Sequence, residues 1–169
     1  MNLQIGVFGS ASTTNKKYLD LAQETGKLLA ENEVTIFCGN VTGILGATIK
    51  GAKLVNGKTV VVAPYDHKNL DLSNVDVYIA SSLNWFSRGP SLVNSLNGII
   101  VISGGVGTLT EMAYAWWEEV PIVIVRTGGI NDQYIGKTFD PRKKHKLLGA
   151  DTPKEAVDLL LKTISKRKS

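Results

Sequence analysis

A chain of 169 residues with 43% hydrophobic content has the length of one domain with a sizeable core, and residues 1–169 are expected to form a single domain. Its formal charge of +4 gathers in Arg142-Lys143-Lys144 and in the tail Lys162, Lys166, Arg167, Lys168 without interleaved aromatics, which argues against nucleic acid as a partner. A lone cysteine, Cys38, excludes an intrachain disulfide, and no run approaches the ~18 apolar residues of a membrane span, so a cytoplasmic protein without a membrane partner is expected.

In chain order, Gln4 to Phe8 reads as an apolar strand that begins without the basic region and cleavage site of a leader. The small, hydroxyl-rich Gly9-Ser10-Ala11-Ser12-Thr13-Thr14 precedes a helix predicted over Asn15 to Glu31, with Tyr18, Leu21, Ala22, Leu28 and Leu29 on one face and Asn32 as its stop. A strand from Val34 to Cys38 ends on a cysteine read as a small core residue, and Gly39-Asn40-Val41-Thr42-Gly43 then opens a helix over Gly43 to Val55. Gly46, Ala47, Gly51 and Ala52 suit that helix to close packing.

Strands follow at Thr59 to Ala63 and Val75 to Ala80. Trp85 to Leu96 holds a helix expected to begin near Pro90, because proline is tolerated in a helix's first turn and not in its interior. A buried strand, Gly98 to Ile102, leads through Ser103-Gly104-Gly105 into a helix over Leu109 to Glu119, and Pro121 starts a strand over Ile122 to Val125. Arg126 to Lys146 reads as irregular, with turn chemistry at Gly128-Gly129, Asn131-Asp132 and Asp140-Pro141. The closing helix starts after Asp151-Thr152-Pro153 and turns Ala156, Val157, Leu160 and Ile164 inward. Strands alternating with helices, several of them apolar at every position, predict an α/β fold: a Rossmann-like three-layer sandwich with a mostly parallel central sheet.

Ligands of such sheets sit beyond the carboxyl ends of the strands, where strand order reverses. Every glycine-rich cluster here falls at such an end. In Gly104-Gly105-Val106-Gly107-Thr108, missing Cβ atoms and the free N–H groups of a helix start make an anion cradle, with Glu111 one turn inside the helix. Gly9, Ser10 and Ser12 of the first loop and Gly39, Asn40 and Gly43 of the second converge on the same crevice and are read with it as phosphate-binding. The second loop lacks the third glycine of the dinucleotide fingerprint and the lysine of the P-loop. Arg88 adds a cation that can pair with phosphate or orient Glu111. Trp85, Phe86, Trp116 and Trp117 offer either a stacking plane or core and interface area. His67 and His145 stand alone, and neither metal-ligand spacing nor a Ser-His-Asp or Cys-His set is evident, so no metal is expected.

Taken together, these residues resemble a superfamily of Rossmann-like proteins that includes the lonely guy phosphoribohydrolases, long labelled lysine decarboxylases, and the molybdenum cofactor carrier proteins. Val7-Phe8-Gly9-Ser10 resembles the first-strand loop, Gly39 to Gly46 with Gly51-Ala52 the second, and Gly104 to Thr108 with Glu111 the diagnostic glycine-glycine-x-glycine-threonine-x-x-glutamate motif. Arg88 stands at the spacing of the family's motif arginine. In the hydrolase branch a lysine follows that arginine and a proline precedes the glycine pair; here Gly89 and Ser103 occupy those places. With Ala113-Tyr114-Ala115 after Glu111, the chain looks closer to the carrier branch.

The resemblance implies binding of a phosphorylated small molecule, a nucleotide or a molybdopterin-type cofactor, with no cofactor required for it. The alternative is N-glycosidic cleavage of a nucleoside 5′-monophosphate to base and ribose 5-phosphate, with Arg88 and Glu111 as catalytic residues. A homo-oligomer, dimer or tetramer, is expected from exposed aromatic area on the Trp116-Trp117 helix.

Overall fold

The computed structural model describes residues 3–64 and 70–168; His67 lies outside them. Its strands are β1 (Gln4–Gly9), β2 (Thr35–Cys38), β3 (Lys58–Ala63), β4 (Val77–Ala80), β5 (Gly98–Ile102), β6 (Ile122–Val125) and β7 (Leu148–Ala150). They form one sheet in the order β4-β3-β2-β1-β5-β6-β7, and every pairing is parallel. The helices are α1 (Lys16–Glu31), α2 (Gly43–Lys53), α3 (Trp85–Val93), α4 (Val106–Trp117) and α5 (Pro153–Lys168). The α/β three-layer architecture expected from the alternation of elements is the observed one.

Both faces of the sheet are covered, which is why its central strands are apolar at consecutive positions. Ile5, Val7, Ile100, Ile102, Val123 and Val125 pack toward α1, α2 and α5, whereas Phe8, Ile99, Val101, Ile122 and Ile124 pack toward α3 and α4. The period-two alternation of a strand therefore distributes each run between two cores. Helices α1 and α2 come together closely because Gly26 and Gly51 sit against the backbone of Thr48 and Gln23, where a Cβ has no room. Cys38 is fully buried in this core, and burial pushes its thiol up to about 12, so it is inert packing.

Two helix starts differ from expectation by three residues or more. Helix α3 begins at Trp85, not near Pro90, because the Asn84 side chain caps it, accepting from the N–H groups of Phe86 and Ser87 at 3.0 and 2.9 Å. Pro90 then lies inside the helix, and the bond it forgoes is to Phe86 at the exposed first turn. Helix α4 begins at Val106, three residues early, so Gly107 and Thr108 belong to its first turn.

Within the segment expected to be irregular, Ile130–Tyr134 forms a 3-10 turn, and just beyond it β7 adds a short parallel strand to the edge beside β6. Leu148-Gly149-Ala150 is too short for any periodicity to reveal it. Trp116 is also not on the surface: it is 3% exposed, stacks on His145 and donates its indole N–H to the His145 carbonyl at 3.0 Å. Trp117 alone of the pair stays open, flanked by Arg142 and Lys143.

Candidate functional site

The strand order turns at β1 and β5: β2, β3 and β4 lie to one side of β1, and β6 and β7 lie beyond β5. Loops leaving β1 and β5 thus diverge above the sheet and open a crevice at its carboxyl edge. A cavity of about 230 Å³ lies there. Its walls are Phe8 and Gly9 from β1, Gly39 after β2, Leu45 of α2, Trp85 to Pro90 of α3 apart from Ser87, and the Gly105, Gly107, Thr108, Thr110 and Glu111 positions around the start of α4.

The glycine motif builds one wall. Ser103 and Gly104 take left-handed backbone, φ 55° and 115°, which turns the chain from β5 into α4. Gly104 is required on two counts, since its φ suits glycine and a Cβ would collide with the Thr108 hydroxyl. Gly105 caps α4 with no side-chain hydrogen bond, and a Cβ at Gly105 or Gly107 would meet only open space. The first N–H groups of α4 therefore lack both an intrahelical acceptor and a side-chain cap.

Arg88 forms the opposite wall. It is 3% exposed, its Nη1 donates to the Val62 carbonyl at 3.2 Å, and its Nη2 lies 3.5 Å from Glu111 Oε1. The guanidinium occupies the space that a Cβ on Gly39 would need. Gly39 is thus a seat for arginine as well as part of the cavity wall. The Nε of Arg88 has no partner among the described residues, so the buried cation is only partly satisfied by protein groups. Burial pushes the Glu111 carboxyl up to about 7, against the opposing pull of Arg88, and burial likewise lowers the Arg88 guanidinium against the pull of Glu111.

The other residues singled out in the sequence are placed less centrally. Ser10, Ser12, Asn40, Gly43, Gly104 and Val106 do not line the cavity. Their loops do meet: Ile44 N–H donates to the Ser10 carbonyl at 3.0 Å, the Thr42 hydroxyl donates to Ala11 at 2.9 Å, and Gly43, at φ 55°, presses against Ser10 and Ala11. Ser10 and Ser12 share a hydroxyl contact, and Asn40 accepts from Val41 N–H. These contacts lock the first loop to the second. Trp85 and Phe86 stand exposed at the cavity mouth, while Trp116 and Trp117 take no part in it.

Asn131, from the segment expected to be only a loop, is the residue that sequence reasoning missed. It is 1% exposed and its Nδ2 donates to the Ser103 carbonyl at 2.8 Å. Nothing in the turn-like Asn131-Asp132 pair points to a partner 28 positions away. Among the described residues no three His, Cys, Asp or Glu side chains are grouped to hold a metal ion, and no helix is long and apolar enough to cross a membrane.

Known proteins share the fold and the sequence pattern of this chain. The chain is 31% identical over 134 residues to a cytokinin riboside 5′-monophosphate phosphoribohydrolase of Mycobacterium tuberculosis, covering 74% of this chain and 71% of that protein. The molybdenum cofactor carrier protein of Chlamydomonas reinhardtii superposes with a TM-score of 0.83 at 25% identity, over 98% of this chain and 99% of that one. A molybdenum cofactor binding protein from Rippkaea orientalis shares the fold with a TM-score of 0.86 at 23% identity, over 97% of this chain and 98% of that one. The model of the SLOG cluster4 family matches residues 2–157, and the chain belongs to that family.

Proposed function

We propose that the protein binds a phosphorylated small molecule, a nucleotide or a molybdopterin-type cofactor, with its phosphate against Gly105, Gly107 and Thr108. The observation that carries this reading is the start of α4: uncapped by any side chain and bordered by two glycines open to space, it faces a buried, under-bonded arginine across one cavity. Of the two kinds of relative named above, one acts by its name on a riboside 5′-monophosphate and the other carries the molybdenum cofactor. A cavity of about 230 Å³ takes the phosphate and its attached sugar or ring, and leaves a planar group to lie over Trp85 and Phe86 at the mouth. Titration calorimetry with AMP, molybdopterin cofactor and inorganic phosphate tests it; absence of saturable binding to all three refutes it.

Gly89 gives the reading a gain-of-function test. A Cβ there would lie 3.5 Å from Glu111 Cγ, an ordinary contact, so a side chain fits. Gly89→Lys places a second cation beside Glu111 and removes a glycine from a helix. It is expected to tighten AMP binding about tenfold, the equivalent of about 1.4 kcal/mol. Unchanged affinity in a folded variant would place the phosphate elsewhere.

A second reading, N-glycosidic cleavage, is favoured by the Glu111 carboxyl at about 7 within 3.5 Å of Arg88. A carboxyl that titrates near neutrality can take a proton from water as its oxygen bonds to C1′ and the C1′–N bond breaks, while Arg88 holds the substrate. The base takes that proton from Glu111 as it leaves, so water is divided between C1′ and the base and the carboxylate is restored. Adenine released from AMP, measured by chromatography, is expected to fall about a hundredfold in Glu111→Gln. A wild-type protein that binds AMP and releases no adenine is a carrier and not a hydrolase.

A homo-oligomer is retained as a proposal on narrower ground, because Trp117 and not Trp116 supplies the exposed aromatic area; light scattering decides it.

A further inference from the structure

We propose that Asn131 is a positioning residue for the anion loop: by holding the Ser103 carbonyl it fixes the left-handed turn that presents Gly105, Gly107 and Thr108 to the cavity. The consequence for ligand affinity rests on the reading given under the proposed function; the consequence for the loop does not.

Ser103 is the weak point of the cradle. It adopts φ 55°, where a side chain is strained, and the next residue, Gly104, takes φ 115°. No element on its own strand accounts for this. Two consecutive left-handed residues persist only where their surroundings over-determine them. The Asn131 amide supplies that determinant: only its Nδ2 can face a carbonyl oxygen, and the bond to Ser103 is 2.8 Å in a position 1% exposed.

The backbone around Asn131 is held by its neighbours, while its own Oδ1 has no partner among the described residues. Asp132 Oδ2 accepts from Thr127 N–H at 3.0 Å and from Gly128 N–H at 2.7 Å, closing the turn that leaves β6. The Asp132 N–H donates to the Gly129 carbonyl at 3.1 Å, and the Tyr18 hydroxyl of α1 donates to the Thr127 carbonyl at 3.3 Å. Residues 127–132 therefore form a splint between the ends of β5 and β6, tied to a helix on the other side of the sheet. A segment with turn composition acquires its role through the pairing of these neighbouring strands.

The test uses Asn131→Leu, Asn131→Asp and the double variant Asn131→Leu/Ser103→Gly in the full chain. Amide hydrogen exchange at residues 109–111, whose N–H groups close the first turn of α4 beginning with Leu109 on the Gly105 carbonyl, reads the loop without any ligand, while thermal unfolding reports on the fold as a whole. Both single variants are expected to exchange at least about tenfold faster there, with β5 and the second half of α4 unchanged. Glycine at 103 occupies the left-handed region without strain, so the double variant should regain most of the protection. In calorimetry with AMP the same order holds: a loss of about tenfold in the single variants, recovered in the double one.

Should Asn131→Leu not fold, Asn131→Asp keeps the size of the side chain, replaces the donor with an acceptor, and carries the test. Loop exchange that is the same in wild type and folded variants overturns the proposal. So does a loss that glycine at 103 does not relieve, since a merely structural asparagine would behave that way. Absence of AMP binding to the wild type, with the exchange pattern as expected, refutes the proposed ligand and leaves the splint standing.

Discussion

Gly107→Asp is expected to abolish anion binding while leaving the protein as stable as before, or more so. Gly107 lies in the first turn of α4, has no left-handed φ, and has nothing within 4 Å of its would-be Cβ. Aspartate in a first turn favours the helix by about 0.3–1 kcal/mol through the macrodipole, and replacing glycine adds about 0.3 kcal/mol, the gap between the two in helix propensity. The melting temperature should therefore rise by a few degrees, at about 2–4 °C per kcal/mol for a chain of this size. The same carboxylate occupies the anion position and repels a phosphate, so affinity for AMP should fall by about a hundredfold or more. Opposite signs for stability and binding separate this result from ordinary damage. A variant that binds AMP as the wild type does would remove α4 from the site.

The second large effect is a pH dependence carried by Glu111. Burial raises its carboxyl from 4.5 to about 7, despite Arg88 at 3.5 Å. The folded state binds this proton more tightly than the unfolded chain, so stability from the group is fully present below about 4.5 and is lost as pH rises to about 7. The shift corresponds to at most about 3–4 kcal/mol, at about 1.4 kcal/mol per pH unit. Glu111→Gln should flatten that slope in denaturant titrations between pH 4.5 and 7.5. Asp76 and Asp140, whose carboxyls hydrogen bonds hold below the ordinary range, act with the opposite sign and at lower pH, so the comparison isolates Glu111.

Binding should follow the same protonation. A neutral Glu111 leaves the Arg88 charge uncompensated at the cavity wall, so sulfate, whose charge is constant here, should bind on the order of tenfold more tightly at pH 6 than at pH 8. Glu111→Gln should bind it equally at both. A wild-type affinity that does not change across this range would mean that Glu111 lies away from the anion.

The neighbourhood of Glu111 also bears on the proposed anion site of a chain with glycine at 89. In the superfamily resemblance the missing lysine removes a cation, but Arg88 is buried, incompletely hydrogen-bonded and seated on Gly39, so its charge acts in poorly solvated surroundings. The proposed site would then depend on one guanidinium and the backbone of α4.

Much of this was legible in the sequence because it is written in local period and composition. Apolar runs such as Gly98 to Ile102 announce doubly covered strands, Asn15 and Asn32 bracket α1, and Gly104 to Thr108 with Glu111 marks the helix start that walls the cavity. What the sequence could not decide was everything that depends on residues meeting across the sheet. β7 exists because β6 offers an open edge, Trp116 is buried because the Phe139–His145 segment folds over it, and Gly39 matters because Arg88 arrives from 49 positions away. Asn131 reaches Ser103 for the same reason. Local preference is set by a residue and its near neighbours, so it can be read along the chain; a partner is selected by topology, and only the folded sheet brings that partner within hydrogen-bonding distance.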